Sequence, residues 1–338
     1  MPTALQTILR RSSRDDEKPL NILTFCTHER YEGCLSKTGH NFYAWQGPNI
    51  KTWNTRYGPI PENYDILDGR LLDGQFPLWL DIDLVLSQNK FGQYEIANKV
   101  ARQLQCPLIT LEHTLPTPDL NRSIKAYLTA MKGDLDVFIS EYSIEQWGWE
   151  KDNPDIEVVH HGVDTVLFSP SDIIDEREDL VCSVVNDWMN RDWCCGFKIW
   201  QDATGWPNSD LPLNVWGDTD GLSKSAPSVE ALAKEYQRSK IFLNTSLISP
   251  VPTVLLEAMS SGCAVVSTDT CMIPEFIKHG ENGFLGKTSE ELRGYVDLLR
   301  RDDSLRKKMG MAARETIVNN FSLDKFVNKW NEVFRKAL

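Results

Sequence analysis

Ser246-Leu-Ile-Ser-Pro-Val-Pro-Thr-Val-Leu-Leu-Glu-Ala-Met-Ser-Ser-Gly-Cys-Ala-Val-Val-Ser-Thr-Asp269 reads as a loop, a helix, a glycine stop and a buried strand in immediate succession. Pro250 and Pro252 hold the loop out of helix and sheet. Thr253 caps or opens the helix that carries Glu257, and Gly262 ends it. Cys263 to Ser267 is a short β-branched run of the kind found in parallel strands. The pattern aims a helix N-terminus at a loop and places a carboxylate one turn inside. Such an N-terminus attracts a diphosphate, and a carboxylate accepts hydrogen bonds from a ribose diol. The simpler alternative is that Glu257 only complements the helix dipole.

Outward from this stretch the chain alternates strand and helix, which predicts an α/β layered fold with parallel sheets. Asn21–Cys26, Asn41–Trp45, Ile82–Ser87, Pro107–Leu111, Asp136–Ser140 and Ile156–Val159 read as strands of the first half, with a helix from about Gln93 to Gln105. Residues 46–78, rich in Gly, Pro, Asn and Trp, read as long loops. The polar run from Asp164 to Glu178 reads as a linker. Strands follow at Leu180–Val185, Leu213–Trp216, Ile241–Asn244 and Cys263–Ser267. Ser289–Arg301, Ser304–Asn319 and Ser322–Leu338 read as helices.

The 338 residues suffice for two domains, and 41% hydrophobic with 25% charged residues is a globular composition. No apolar run approaches the roughly 20 residues of a spanning helix, and Met1–Lys18 lacks a signal-peptide core, so the expected location is cytoplasmic. The net charge of −12 divides as −7 over residues 1–165 and −5 over 166–338. Neither half is a basic nucleic-acid module. The eight cysteines form no CxxC pair and read as reduced, mostly buried thiols. No His/Cys cluster has metal-ligand spacing, and His28-Glu-Arg-Tyr-Glu32 fails the zincin pattern at its fifth position. Asp81-Ile-Asp83 and Asp134-Leu-Asp136 match a DxD pattern but flank strands, where capping is the commoner use.

Several short segments, in order, carry a resemblance. They are His160-His-Gly-Val-Asp164 with Phe168-Ser-Pro170, Pro212-Leu-Asn-Val-Trp-Gly217, Tyr236 with Ser239 and Ile241–Ser246, the stretch from Ser246 to Asp269, and Ile273-Pro-Glu275 with Gly280-Glu-Asn-Gly283. From His160 to Leu338 the chain resembles the GT-B glycosyltransferases, in particular the retaining glycosyltransferase family 4 (glycosyl transferases group 1). Before that the similarity is mainly one of element order, from Leu20 to Gln105.

The resemblance implies a GT-B fold of two Rossmann-like domains facing a cleft. It implies an arm over 1–19, an acceptor-side domain over 20–165, a nucleotide-sugar domain over 166–321, and a final helix over 322–338 that packs back on the first domain. The activity implied is transfer of a sugar from a UDP- or GDP-sugar to an acceptor hydroxyl with retention, without a metal or other cofactor. Family 4 keeps two glutamates with seven residues between them; the ribose-facing one maps to Glu257, and the sugar-facing one is Ser249 here. Ser249, Pro250, Val251, Pro252, Thr253 and Val254 form the implied donor loop, and Gly217 lies at the base pocket.

Arg191 and Lys198 occupy the place of the family's cation pair, where two fixed charges stabilise the departing diphosphate; the alternative is two solvated surface cations. His113, at a strand end, matches the histidine beside the transferred sugar, or else it is satisfied by backbone. Thr27 and His28 end the first strand on the acceptor side, although the family's glycine-rich loop is missing there. Two other functions stay open: transfer to hydroxymethylated bases of DNA, which the charge disfavours, and silent binding of a nucleotide sugar.

Overall fold

A computed structural model describes residues 18–47, 50–55, 57–68, 80–171 and 177–338. The expected arm over 1–19 therefore lies almost wholly outside the described residues, as do parts of the expected loop region (48–49, 56 and 69–78) and part of the expected linker (172–176). Contacts divide the chain into two units, one running to His160 and including Phe326–Leu338, the other His161–Lys325.

In the first unit, strands β1 (Asn21–Thr24), β2 (Asn41–Gln46), β3 (Tyr64–Asp68), β4 (Leu84–Ser87), β5 (Leu108–Glu112), β6 (Leu135–Phe138) and β7 (Ile156–Val158) form one sheet. Its order is β3-β2-β1-β4-β5-β6-β7, with every pairing parallel. Runs such as Leu84–Ser87 and Leu108–Glu112 are buried at every position, as strands covered on both faces must be. The helices are α1 (Glu29–Leu35), α2 (Tyr94–Leu104), α3 (Arg122–Thr129) and α4 (Glu141–Trp147). Ser140 caps α4 by accepting from the Ser143 N–H at 3.1 Å.

β3 corrects the reading of residues 46–78 as loop. Tyr64–Asp68 pairs with Phe42–Gln46 at the sheet edge. Its surroundings of Gly, Pro and Asn resemble turn sequence, and an edge strand buries too little to show a clear alternation.

In the second unit, β8 (Glu178–Val184), β9 (Leu213–Trp216), β10 (Ser239–Asn244), β11 (Ala264–Thr268) and β12 (Phe284–Gly286) form a parallel sheet of order β12-β11-β10-β8-β9. Around it lie α5 (Asp192–Cys195), α6 (Phe197–Thr204), α7 (Val229–Arg238), α8 (Thr253–Ser260), α9 (Ile273–Phe276), α10 (Ser289–Arg301) and α11 (Asp303–Asn320). Trp188, Trp200, Leu243, Val266, Leu292 and Met309 belong to its core. The last helix, α12 (Leu323–Ala337), turns Phe326, Trp330, Val333 and Phe334 inward. The Trp330 indole donates to the Tyr31 hydroxyl of α1 at 2.9 Å.

Both sheets reverse direction once. In the first the chain builds outward from β1 to β3 and resumes at β4 on the other side of β1. In the second it goes from β8 to β9 and resumes at β10. In open α/β sheets the crevice at such a switch point, beyond the strands' carboxyl ends, is where ligands bind. The loops after β1 and β4, and after β8 and β10, are therefore the places to seek a site.

Candidate functional sites at the two switch points

At the second switch point the loop after β10 leads directly into α8. Pro252 is the N-cap and supplies no side-chain acceptor to the first turn, so Thr253 opens the helix rather than capping it. Leu255–Ser260 are all buried, which anchors the helix while its first turn faces the loop. Glu257 is 5% exposed. The Tyr236 hydroxyl of α7, itself fully buried, donates to its Oε2 at 3.2 Å. A buried carboxylate held by a tyrosine is oriented. Gly262 follows the helix at φ +76, a left-handed stop that suits glycine.

The segment carrying Arg191 and Lys198 docks onto this same loop. The Leu247 and Ile248 N–H groups donate to the Cys194 carbonyl at 2.8 and 3.1 Å, and the Thr245 hydroxyl donates to that of Cys195 at 3.2 Å. Gly196, between α5 and α6, makes the approach possible. It has φ +64, and a Cβ there would lie 2.0 Å from the Thr245 carbonyl oxygen. The Trp188 indole donates to the Cys195 carbonyl at 2.9 Å from inside the core, which fixes the segment from below.

Arg191 and Lys198 are both exposed. The Arg191 guanidinium donates to the Asn186 carbonyl at 3.4 Å, and Lys198 pairs with Asp202 one helical turn on, at 2.7 Å. An exposed pair of this kind contributes only about 0–1 kcal/mol. Gly217, at the end of β9, has φ +126, and a Cβ would sit 1.9 Å from the Val185 carbonyl oxygen. It brings the β9 and β8 ends together. Ser249 and Pro250 are half-buried, Val251 and Pro252 buried, and Thr253 and Val254 half-buried.

At the first switch point the site is polar and buried. Glu32 of α1 and Gln88, just after β4, are both fully buried. The Gln88 amide donates to the two Glu32 carboxylate oxygens at 2.9 and 3.0 Å and to the Thr24 hydroxyl at 3.0 Å. The Thr27 N–H also donates to Glu32, at 3.1 Å. Burial nonetheless pushes the Glu32 carboxyl up to about 7. His113, just beyond β5, faces the Gln88 carbonyl oxygen through Nε2 at 3.4 Å, and its ring meets the Tyr31 ring edge-on at 4.6 Å.

His28 caps α1, its Nδ1 accepting from the Tyr31 N–H at 3.3 Å. Part of the residue reaches solvent, but its dense surroundings desolvate the ring, and Lys51 and Arg30 add repulsion. Its pKa falls to about 4, so it is neutral near pH 7. The Thr27 hydroxyl accepts from Gln93 at 2.8 Å.

The two DxD matches tie strands together. Asp83 accepts from the Asn21 N–H and Asp134 from the Leu108 N–H, each at 2.8 Å. His160 is satisfied by the Ile139 carbonyl at 3.0 Å. Among the described residues no group of three or more His, Cys, Asp or Glu side chains is arranged to hold a metal ion. All eight cysteines are free thiols. No described helix is long and apolar enough to cross a membrane.

Sequence reasoning named Glu257, Arg191, Lys198 and Gly217, all of which lie in the second unit. It passed over Gly196 and did not see that Tyr236 grips Glu257. It also passed over Glu32 and Gln88, which stand 56 residues apart with no local motif to link them.

Residues 224–316 match the family model of glycosyl transferases group 1. N-acetyl-alpha-D-glucosaminyl L-malate synthase of Bacillus anthracis is 35% identical over 88 residues, 25% of this chain and 23% of that enzyme. Across the curated relatives that it matches, the chain covers 23% to 65% of their length. Among solved structures, Anabaena Alr3699/HepE in complex with UDP superposes with a TM-score of 0.73 at 15% identity, covering 94% of this chain and 100% of that one. The same protein has been solved with UDP-glucose. Sucrose-phosphate synthase from Thermosynechococcus elongatus superposes with a TM-score of 0.74 at 13% identity, covering 94% and 98%. The fold is that of the GT-B glycosyltransferases.

Proposed function

We propose that the chain is a retaining glycosyltransferase that moves a sugar from a nucleoside diphosphate sugar, with UDP as the favoured nucleotide, to an acceptor hydroxyl. The observation that carries this reading is the second switch point. There a tyrosine-held, buried Glu257 lies one turn inside a helix whose first turn faces the loop, and the backbone of the Arg191–Lys198 segment is bonded to that loop. The UDP and UDP-glucose complexes of the HepE structure support a uridine nucleotide as donor.

In this reading the second unit, 161–325, holds the donor, and the first unit with most of α12 serves the acceptor. Glu257 accepts from the ribose hydroxyls. The N–H groups at Thr253 and Val254 meet the diphosphate, with Arg191 and Lys198 on its other side. Gly217 leaves room for the base, and Ser249 offers a neutral hydroxyl to the transferred sugar. Cleavage of the anomeric C–O bond leaves charge on the departing phosphate oxygen, which the two cations stabilise. That oxygen takes the acceptor's proton as the new glycosidic bond forms on the same face. No protein general base is then required, and no metal is needed to neutralise the leaving group. Thr27 with the neutral His28 contacts the acceptor, and His113 belongs to the same unit.

The test is incubation with UDP-glucose, UDP-N-acetylglucosamine and GDP-mannose against panels of glycan, lipid and small-molecule acceptors, following nucleotide release and the anomer formed. Retained configuration supports the reading, and inversion refutes the mechanism. Tight UDP binding with neither transfer nor hydrolysis would make the protein a silent nucleotide-sugar binder. Transfer to hydroxymethylated DNA would place the acceptor among nucleic acids.

A further inference from the structure

We propose that Arg314 and Arg177 are positioning residues for α8. From behind, they take its last two carbonyls and so hold its first turn and Glu257 in place. A helix ends in carbonyls that no further turn can satisfy. At the end of α8 the chain itself answers three of them. The Ser261, Gly262 and Cys263 N–H groups donate to the carbonyls of Glu257, Met259 and Ala258 at 2.9, 2.9 and 3.0 Å. The next two go to arginines. The Ser260 carbonyl accepts from Arg314 of α11 at 2.6 Å, and the Ser261 carbonyl accepts from Arg177. The same Arg314 guanidinium donates to the Phe168 and Thr165 carbonyls at 3.3 and 3.4 Å. Arg177 also donates to the Ser239 carbonyl at 3.0 Å.

The fit is so close that it depends on glycine. Gly310 lies one turn before Arg314 on α11, and a Cβ there would sit 2.4 Å from the Gly262 carbonyl oxygen. A Cβ on Gly262 would in turn meet the Arg177 guanidinium and the Pro170 ring, each at 3.2 Å. The rear of α8 is thus set in a socket.

Arg177 is buried and Arg314 half-buried, and among the described residues neither has a carboxylate partner. Burial lowers the Arg314 pKa, and no charged neighbour acts against it. Both guanidinium groups are answered instead by carbonyls, and the end of a helix carries partial negative charge. Two effects reach the front of α8. The helix has eight residues, about 12 Å, and is buried from Leu255 to Ser260, so a shift of its end carries the first turn and Glu257 with it. The two cations also offset the negative end of the helix dipole, which leaves the positive end to act on an anion. The consequence for UDP rests on the proposed function; the hold on α8 does not.

The test reads the two separately, on the wild type, Arg314→Met, Arg314→Lys and Gly310→Ala, each well below its melting temperature. Amide hydrogen exchange needs no ligand. It is followed at Leu255 and Leu256, whose N–H groups bond to the Pro252 carbonyl in the first turn. Rates are scaled to the β10 amides, which report the stability of the unit as a whole. Calorimetry gives Kd for UDP. Arg314→Met is expected to speed the scaled exchange and to raise Kd by roughly 5-fold. Arg314→Lys keeps the charge and a donor for Ser260, and should return both values most of the way. Gly310→Ala serves should Arg314→Met fail to fold. Alanine favours α11 itself but drives a Cβ against Gly262, so the same two changes are expected. A merely structural arginine lowers the melting temperature and moves neither readout. Unchanged scaled exchange in the folded variants overturns the proposal, and so does an unchanged Kd where the wild type binds UDP. Faster first-turn exchange in a protein whose wild type binds no UDP refutes the proposed function and upholds the hold on α8.

Discussion

Replacing Glu257 by alanine separates a ribose ligand from a mere partner of the helix dipole. The carboxylate is 5% exposed and held by Tyr236, so its geometry is set before any nucleotide arrives and little ordering entropy opposes the contact. A hydrogen bond to a charged group contributes about 1.5–3 kcal/mol. At about 1.4 kcal/mol per factor of ten, Kd for UDP should rise roughly 10- to 150-fold. The substitution also takes an acceptor from the buried Tyr236 hydroxyl, which should lower stability by about 1–3 kcal/mol. Titration calorimetry is therefore run well below the mutant's melting temperature, with circular dichroism as the check on folding. A dipole partner alone is worth about 0.3–1 kcal/mol of helix stability and leaves Kd where it was. A folded Glu257→Ala protein that binds UDP as tightly as the wild type would refute the assignment.

Treatment with EDTA should leave transfer intact if, as proposed, Arg191 and Lys198 meet the diphosphate; loss of activity restored by Mn²⁺ or Mg²⁺ would contradict this. Arg191→Ala and Lys198→Ala should reduce kcat severely and Ser249→Ala only modestly, since the cations act on charge that develops in the transition state; kinetics of the three side by side decide it, and Ser249→Ala as the most damaged would reverse the order. Asp202→Asn should leave UDP affinity unchanged or slightly tighter by calorimetry, because it frees Lys198 from its exposed pair; a large loss would mean that Asp202 positions the lysine. Glu32 has a folded pKa of about 7 against an ordinary 4.5, so its contribution to stability is fully present below about 4.5 and lost as pH rises through about 7. Cys26, Tyr31 and Tyr64 beside it are pushed upward and stay neutral over that range. Melting temperatures of the wild type relative to Glu32→Gln should fall between these two pH values, and parallel curves would rule the effect out. His28 has the opposite sign: its contribution, present above about 6.5, is lost as pH falls through about 4.

The second unit was legible because its chemistry is local. Pro250, Pro252, Glu257 and Gly262 lie within thirteen residues, and the two prolines and the glycine act on the backbone through their own covalent structure. Helix boundaries there were also readable, because Thr288 caps α10 and Asp302 caps α11 through their own side chains. The first unit was harder to read because its chemistry is assembled by topology. Gln88 reaches Glu32 only because β4 returns beside β1, a pairing that no spacing along the chain announces. β3 was hidden by turn-like neighbours, and α1, only seven residues long, is too short for its periodicity to show. Gly196 was unreadable for a similar reason. What it must avoid, the Thr245 carbonyl, is 49 residues away.

The most direct test of the central claim is a crystal structure of the protein with UDP. The account predicts the uracil near Gly217, the ribose hydroxyls within hydrogen-bonding distance of Glu257, and the diphosphate between the first turn of α8 and the side chains of Arg191 and Lys198. UDP bound elsewhere, or bound here with the ribose turned away from Glu257, would contradict it.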